Sequence, residues 1–351
     1  MKPSQNHVYL SLINVFSFDS KHSVTMLRTN YFKVDEDVKF KIYKEFNINP
    51  EHVQRDVQII KDWVKQQPHL PEKIEGGFST VLKPFNALFL DDFIQISLIR
   101  SKFKIETTKE NIDKYYTLKG RKVDEILKIP SEIPDGKKQF FFITPLPQLT
   151  DNLERIIIFK VKNAALANEN DILNFFKYCL FMNEFAIRCD YSLNVRLVED
   201  LEGLTKDVFL KCAKTIGHIF KPYNEAYFAR IAGIEFLNAP PFFELVVKSI
   251  KSPPMNMVLG EKLANRINIH RDYESLHKLV NKASLPQEYG GDLQSPLSEM
   301  DESFKAELRK YINSLDQFLI NEVADESKRI GEVKYNDSFG PDGTFKNLCV
   351  D

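Results

Sequence analysis

Glycine and proline are sparse in this chain, 13 and 17 of 351 residues, which leaves no room for a collagenous or low-complexity class. Cysteine is scarcer still. Cys179, Cys189, Cys212 and Cys349 show no CxxC spacing and three of them lie in apolar segments, a pattern of reduced, buried thiols rather than a disulfide scaffold or metal cage. No apolar run approaches the roughly 18 residues of a membrane helix; the most hydrophobic stretches, such as Arg155 to Val161, are of strand length. No transmembrane segment is therefore expected. Val8 to Phe18 follows Lys2 as a secretory apolar region would, but Asp19 ends it and no small-x-small cleavage site follows, so the expected location is cytoplasmic. A bias of charge is also missing: 48 Lys and Arg against 49 Asp and Glu give −1, which excludes global attraction to nucleic acid and confines any membrane attraction to local patches.

Catalytic signatures are lacking too. There is no GxSxG elbow, GxxxxGK[ST] loop, GxGxxG turn or HExxH helix. The histidines are scattered, and the nearest pair, His270 and His277, straddles a strand end and a helix, so packing and surface roles are expected. Adjacent carboxylates such as Glu199-Asp200 point to opposite faces of a strand and cannot serve one substrate. The chain reads as a non-enzyme without metal or cofactor.

What is present is 43% hydrophobic residues in strong periodic patterns. Asn49-Pro50 caps a helix on which Val53, Val57, Ile60, Trp63 and Val64 recur until Gln67-Pro68; further helices open at Asp91 and at Thr107 or Thr108. Residues 34–125 thus form an expected helical module after a loose extension, 1–33. Strand-like runs come next, at Phe140 to Thr144, Arg155 to Val161, Val195 to Leu201, Arg230 to Leu237 and Ile267 to His270. Helical patterns around 171–187, 205–220, 241–251 and 273–282 alternate with them. That alternation predicts an α/β domain over 135–293 with a mixed, mostly parallel sheet. A C-terminal helix is expected within 300–330 and a mobile tail over 331–351.

Three segments together resemble the CRAL-TRIO lipid-transfer family, in the branch of α-tocopherol transfer protein and cellular retinaldehyde-binding protein. They are Ile60-Lys61-Asp62-Trp63-Val64 to Pro71 with Leu98 to Phe103 and Lys114-Tyr115-Tyr116-Thr117; Asp200-Leu201-Glu202-Gly203 with Arg230 and Gly233 to Pro240; and Glu261-Lys262-Leu263, Arg266-Ile267, His270 and Leu285-Pro286-Gln287-Glu288-Tyr289-Gly290-Gly291. The resemblance implies an apolar pocket floored by the sheet, gated by the helix after the Asn-x-Pro turn, and holding a hydrophobic small molecule such as a tocopherol, retinoid or carotenoid. It assigns Phe159, Val195, Leu197, Glu199, Cys212, Ile231 and Ile234 to the pocket, with Phe242, Phe243, Val246, Val247 and Ile250 on the lid.

The resemblance further implies reversible, peripheral docking on phosphoinositide membranes through Arg230, Lys262 and Arg266, and Ala232 stands where a further basic residue would be expected. Between Arg100 and Lys128, nine basic and five acidic residues leave an excess of four positive charges, read as a second local contribution to docking. Glu199 shares a strand face with Val195 and Leu197, and a buried carboxylate must be protonated or paired. It faces either a polar ligand group or water, or forms a salt bridge inside the fold. Two rival readings remain open: a membrane-recruiting adaptor with the basic cleft and a filled or empty pocket, and an esterase-like enzyme.

Overall fold

The computed structural model describes residues 31–32, 36–71, 83–121, 133, 140–162, 167–253, 260–314, 323–332 and 334, without the side chains of 83–90, 121, 215–225 and 311–314. The chain has a mixed α/β fold, with a helical N-terminal region followed by a five-stranded, mostly parallel sheet. The N-terminal helices are α1 (Glu36–Glu45), α2 (Pro50–Lys65), α3 (Lys83–Arg100) and α4 (Ile105–Arg121). Asn49 caps α2 as expected, its side chain accepting from the Glu51 amide, and Val53, Val57, Ile60 and Val64 are buried on one face. Helix α3 starts at Lys83, eight residues before Asp91. Pro84 in its first turn is the start signal there, rather than the cap expected at Asp91.

Strands β1 (Phe141–Leu149) and β2 (Glu154–Val161) form an antiparallel pair; β3 (Asn194–Asp200), β4 (Ile231–Leu237) and β5 (Ile267–His270) join in parallel, in spatial order β1-β2-β3-β4-β5. The crossovers carry α5 (Glu169–Cys189), α6 (Lys206–Tyr227) and α7 (Pro241–Lys251) with the short α8 (Glu261–Ala264). Right-handed crossovers between strands laid down in one direction all fall on the same side. One face is therefore covered by α5, α6 and α7. The other receives the elements after β5: α9 (Tyr273–His277), the turn to Gly291, and α10 (Leu297–Ser314).

That second face is packed solid. Ile156, Ile158 and Val198 are 0% exposed and Leu237 1%, against Leu276, Val280, Leu285, Tyr289, Leu297 and Met300. Its rim is a polar ladder. Arg196 donates to Glu154 at 2.7 Å and to Glu235 at 2.5 Å, and His270 Nε2 lies 2.9 Å from Glu235. Gly233 is small because a Cβ there would meet both Arg196 and Glu235. The closing turn works as its glycines suggest: Gly290 has φ +67°, and a side chain on Gly291 would collide with the Leu285 carbonyl.

The helical region packs on the outer side of α5 and α6 through Phe93, Ile99, Tyr115, Leu180, Ile187 and Tyr227. A buried charge cluster seals this junction. Glu184 accepts from Tyr227 Oη at 2.6 Å, Tyr115 Oη at 2.7 Å and Arg188 at 2.8 Å, with Lys119 at 3.4 Å. Burial alone would raise the Glu184 carboxyl, but Lys119, Arg188 and the two hydroxyls outweigh it and hold the group at about 2. Arg100 is likewise internal, donating to the Tyr227 and Ala186 carbonyls. Arg100 and Lys119 thus belong to the core, which corrects the reading of all nine basic residues between 100 and 128 as a docking surface. A helix-period basic residue facing a neighbouring helix looks the same in sequence as one facing water.

Most of the expected N-terminal extension and C-terminal tail lies outside the described residues. Tyr31 and Phe32 are described and buried against Phe185 and Phe304, and the Tyr31 hydroxyl donates to the Pro145 carbonyl.

Candidate functional site

The face under α5, α6 and α7 is built differently from its opposite. Cross-strand partners share a face, so the pairs Ile157 with Leu197, Phe159 with Glu199, Leu197 with Ile234 and Glu199 with Phe236 all point toward these helices. Burial is complete at its margins, at Phe141, Val161 and Ile267. In the middle it is not: Ile157, Phe159, Val195, Leu197, Ile231 and Ile234 are only half-buried, although β3 is the central strand and three helices lie over it. The helices show the same incompleteness. Phe175, Phe176 and Cys179 of α5, Phe209 and Cys212 of α6, and Phe242, Val246 and Ile250 of α7 are likewise only partly buried. Close-packed interiors leave few such surfaces at the centre of a covered sheet.

Helix α7 packs on this region through one apolar stripe, with Phe242, Val246 and Ile250 partly buried. Phe243 and Val247 are buried, the Phe243 ring meeting Phe236 at 4.7 Å and Phe209 at 5.7 Å between centroids. Its sequence accounts for this: Pro240-Pro241 fixes the entry, and apolar residues at 242, 243, 246, 247 and 250 make one stripe. The outer side carries Leu245, 70% exposed, with Glu244, Lys248 and Lys251. Leu210 of the neighbouring α6 is 55% exposed. The part of the expected lid at 254–259 lies outside the described residues.

Glu199 sits in the middle of this apolar face. It makes no hydrogen bond or ion pair among the described residues, and the salt-bridge alternative has no support there. Burial, uncompensated by any charge, pushes its carboxyl up to about 7. Glu199 is felt by Cys179, whose thiol is raised mainly by burial and further by the Glu199 charge. Its chain neighbour Asp200 turns to the packed face, taking Lys160 at 2.8 Å and Asn238 at 2.8 Å, so the two adjacent carboxylates are divided between faces as expected.

The three basic candidates gather at one end of the sheet. Arg230 immediately precedes β4, Arg266 immediately precedes the adjacent β5, and Lys262 lies on α8 one turn earlier. Arg266 donates to the Ile231 carbonyl, and Lys262 is fully at the surface. Arg230 is partly buried with its Nη1 lacking any hydrogen-bond partner. Burial and the adjacent Arg266 both lower its proton affinity. None of the three forms an ion pair among the described residues. The two guanidinium groups are thus close enough for their charges to interact, and one carries an orphaned buried donor.

Sequence reasoning missed one constellation: Ser275 Oγ lies 3.1 Å from His270 Nδ1, whose Nε2 meets Glu235. The Ser275 hydroxyl donates to the Asp272 carbonyl, and its amide donates to the Asp272 side chain. The arrangement braces the start of α9 against β5. The Asp272-x-x-Ser275 capping pattern was its only sequence signal.

These features define a mixed α/β sheet with one sealed face and one whose central apolar residues are only partly buried beneath an amphipathic helix. Residues 142–291 match the family model of the CRAL/TRIO domain. Among curated proteins the chain is similar to Clavesin-1 of Xenopus laevis, 22% identical over 256 residues, covering 71% of each chain. It is also similar to Clavesin-1 of Rattus norvegicus and of Mus musculus, 23% identical over 262 residues, 71% of this chain and 66% of theirs. Among solved structures, a crystal structure of Sfh5 aligns with 81% of this chain and all of that one, at 15% identity and TM-score 0.41.

Proposed function

We propose that this protein binds and transfers a hydrophobic small molecule, held between the sheet and helices α5, α6 and α7, with α7 as the lid. The observation that carries the reading is the contrast between the two faces of one sheet. Ile156, Ile158 and Val198 are sealed, whereas the alternate residues Ile157, Leu197 and Ile234 keep open surface beneath helices. Transfer of about twenty carbons from water into such a space is favourable by on the order of 16 kcal/mol, at roughly 0.8 kcal/mol per CH₂. A bilayer offers nearly the same, so the carrier's contribution is kinetic: it shields the guest in transit. Glu199 supplies one polar contact in this apolar wall, which suits a guest with a single hydroxyl or carbonyl, in the class of retinoids, tocopherols or carotenoids.

Docking is peripheral. Leu245 and Leu210, exposed beside Lys248 and Lys251, suit contact with a lipid surface, and no helix among the described residues is long and apolar enough to cross a membrane. Arg230, Arg266 and Lys262 suit a phosphorylated head group such as a phosphoinositide. At about 1 kcal/mol per basic residue near an anionic surface, three give reversible attachment. Organic extraction of the purified protein followed by mass spectrometry tests the reading. About one lipid per chain supports the carrier, an empty chain that still binds vesicles supports a recruiting adaptor, and turnover of an added lipid ester supports an enzyme.

A further inference from the structure

Beyond the sheet, residues 323–330 lie across the helical region in a way that carrying a lipid does not require. The segment has little apolar anchorage: Ala324 is buried, but Ile330 is 82% exposed and the only regular structure is one 3₁₀ turn, Glu326–Lys328. Two backbone bonds seat it, Ala324 N–H to the Tyr116 carbonyl at 3.1 Å and Asp325 N–H to the His69 carbonyl at 2.8 Å. Gly120 makes room, since a Cβ there would crowd Val323 and the Ala324 carbonyl. The polar key is Arg329. Its guanidinium forks onto both carboxylate oxygens of buried Asp113 at 2.7 and 3.0 Å, and donates to Thr117 Oγ1 at 2.8 Å. Glu326 flanks it at 2.7 Å. On the far side, His69 Nε2 holds Asp113 at 3.0 Å while its Nδ1 has no partner, and Lys334 stands 3.6 Å from the same carboxylate. Asp113, Thr117 and His69 all belong to the helical region and are oriented by α4 and the turn after α2.

We propose that Asp113, Thr117 and His69 form a guanidinium-binding site on the helical region, occupied in cis by Arg329, and that residues 323–330 are a latch which opens locally. A planar fork matched to a carboxylate distinguishes arginine from lysine. A segment tied by polar contacts with few buried apolar groups belongs to the low-stability end of a fold.

Hydrogen exchange by mass spectrometry on the full chain tests this. In the wild type, residues 323–330 exchange at least 100-fold faster than α2 and α4, and faster still as salt rises. In Arg329→Ala, exchange there increases at least tenfold while α2 and α4 stay protected, and millimolar methylguanidinium restores protection where methylammonium does not. Arg329→Lys gives partial loss, and Asp113→Asn combined with Arg329→Ala gives no rescue. Exchange of 323–330 only at the rate of α2 and α4 would overturn the latch, and rescue by both cations alike, or by neither in a folded variant, would overturn the site.

Discussion

Replacing Glu199 by Gln removes an ionisable group from the apolar face without changing its shape. In the folded protein the carboxyl titrates near 7, against an ordinary value of 4.5, and burial is the cause. An acid whose folded value is raised contributes stability that is fully present below the unfolded value and is lost as pH climbs from about 4.5 through about 7. At roughly 1.4 kcal/mol per tenfold change in proton affinity, the ionised form costs about 3 kcal/mol above pH 7. Glutamine never ionises. In delipidated protein, Glu199→Gln is therefore expected to exceed the wild type by less than about 1 kcal/mol at pH 5 and by up to about 3 kcal/mol at pH 8. At roughly 2 °C per kcal/mol for a domain of this size, that is about 6 °C in Tm. Differential scanning fluorimetry at the two pH values reads the difference. A gain equal at both pH values, or a loss at pH 8, would refute the claim that the carboxylate is unpaired; the loss would mean a cationic partner holds it.

The basic cluster and the junction give further expectations. Lys262→Glu with Arg266→Glu should weaken co-sedimentation with phosphoinositide vesicles by at least about thirtyfold, from roughly 1 kcal/mol per basic residue removed, while lowering Tm by no more than about 2 °C through loss of the Arg266 bond to the Ile231 carbonyl; unaltered vesicle binding would remove the docking role. Tyr227→Phe strips one donor from Glu184 and should lower stability by about 1–3 kcal/mol in urea unfolding at neutral pH. The Glu184 carboxyl is depressed to about 2, so its contribution is present above pH 4.5 and is lost as pH falls toward 2. Acid unfolding of the wild type should therefore steepen over that interval. Identical acid unfolding after Glu184→Gln would contradict it.

Strands and crossover helices were legible because each announces itself locally. Ile156 and Ile158 alternate with Ile157 and Phe159, and α7 runs over the residues its apolar stripe marks. The spatial order of the strands was not legible, because neither alternation nor crossover handedness decides which strands are neighbours. Which face stays open is not local. Alternation says that Leu197 and Val198 point apart, but only the bulk of α9 and α10 behind the sheet decides that Val198 is sealed. Glu199 stood out because a charge on an apolar strand face is anomalous in any fold. Asp113 and Arg329 escaped notice because their pairing spans 216 residues, and neither lies in a pattern that single-sequence periodicity detects. Lys119 was misread for a related reason: its partner Glu184 lies 65 residues away on α5.

The most direct measurement is a pair of cavity-filling substitutions in delipidated protein, Leu197→Trp on the open face and Ile158→Trp on the sealed one. The proposed space beneath α7 would accept the larger ring, so Leu197→Trp should keep the wild-type Tm and abolish uptake of a fluorescent retinoid. Ile158→Trp should cost about 1–3 kcal/mol or more from overpacking. Equal destabilisation by both would mean that the helical side of the sheet is as full as the other, and that there is nowhere for a guest to sit.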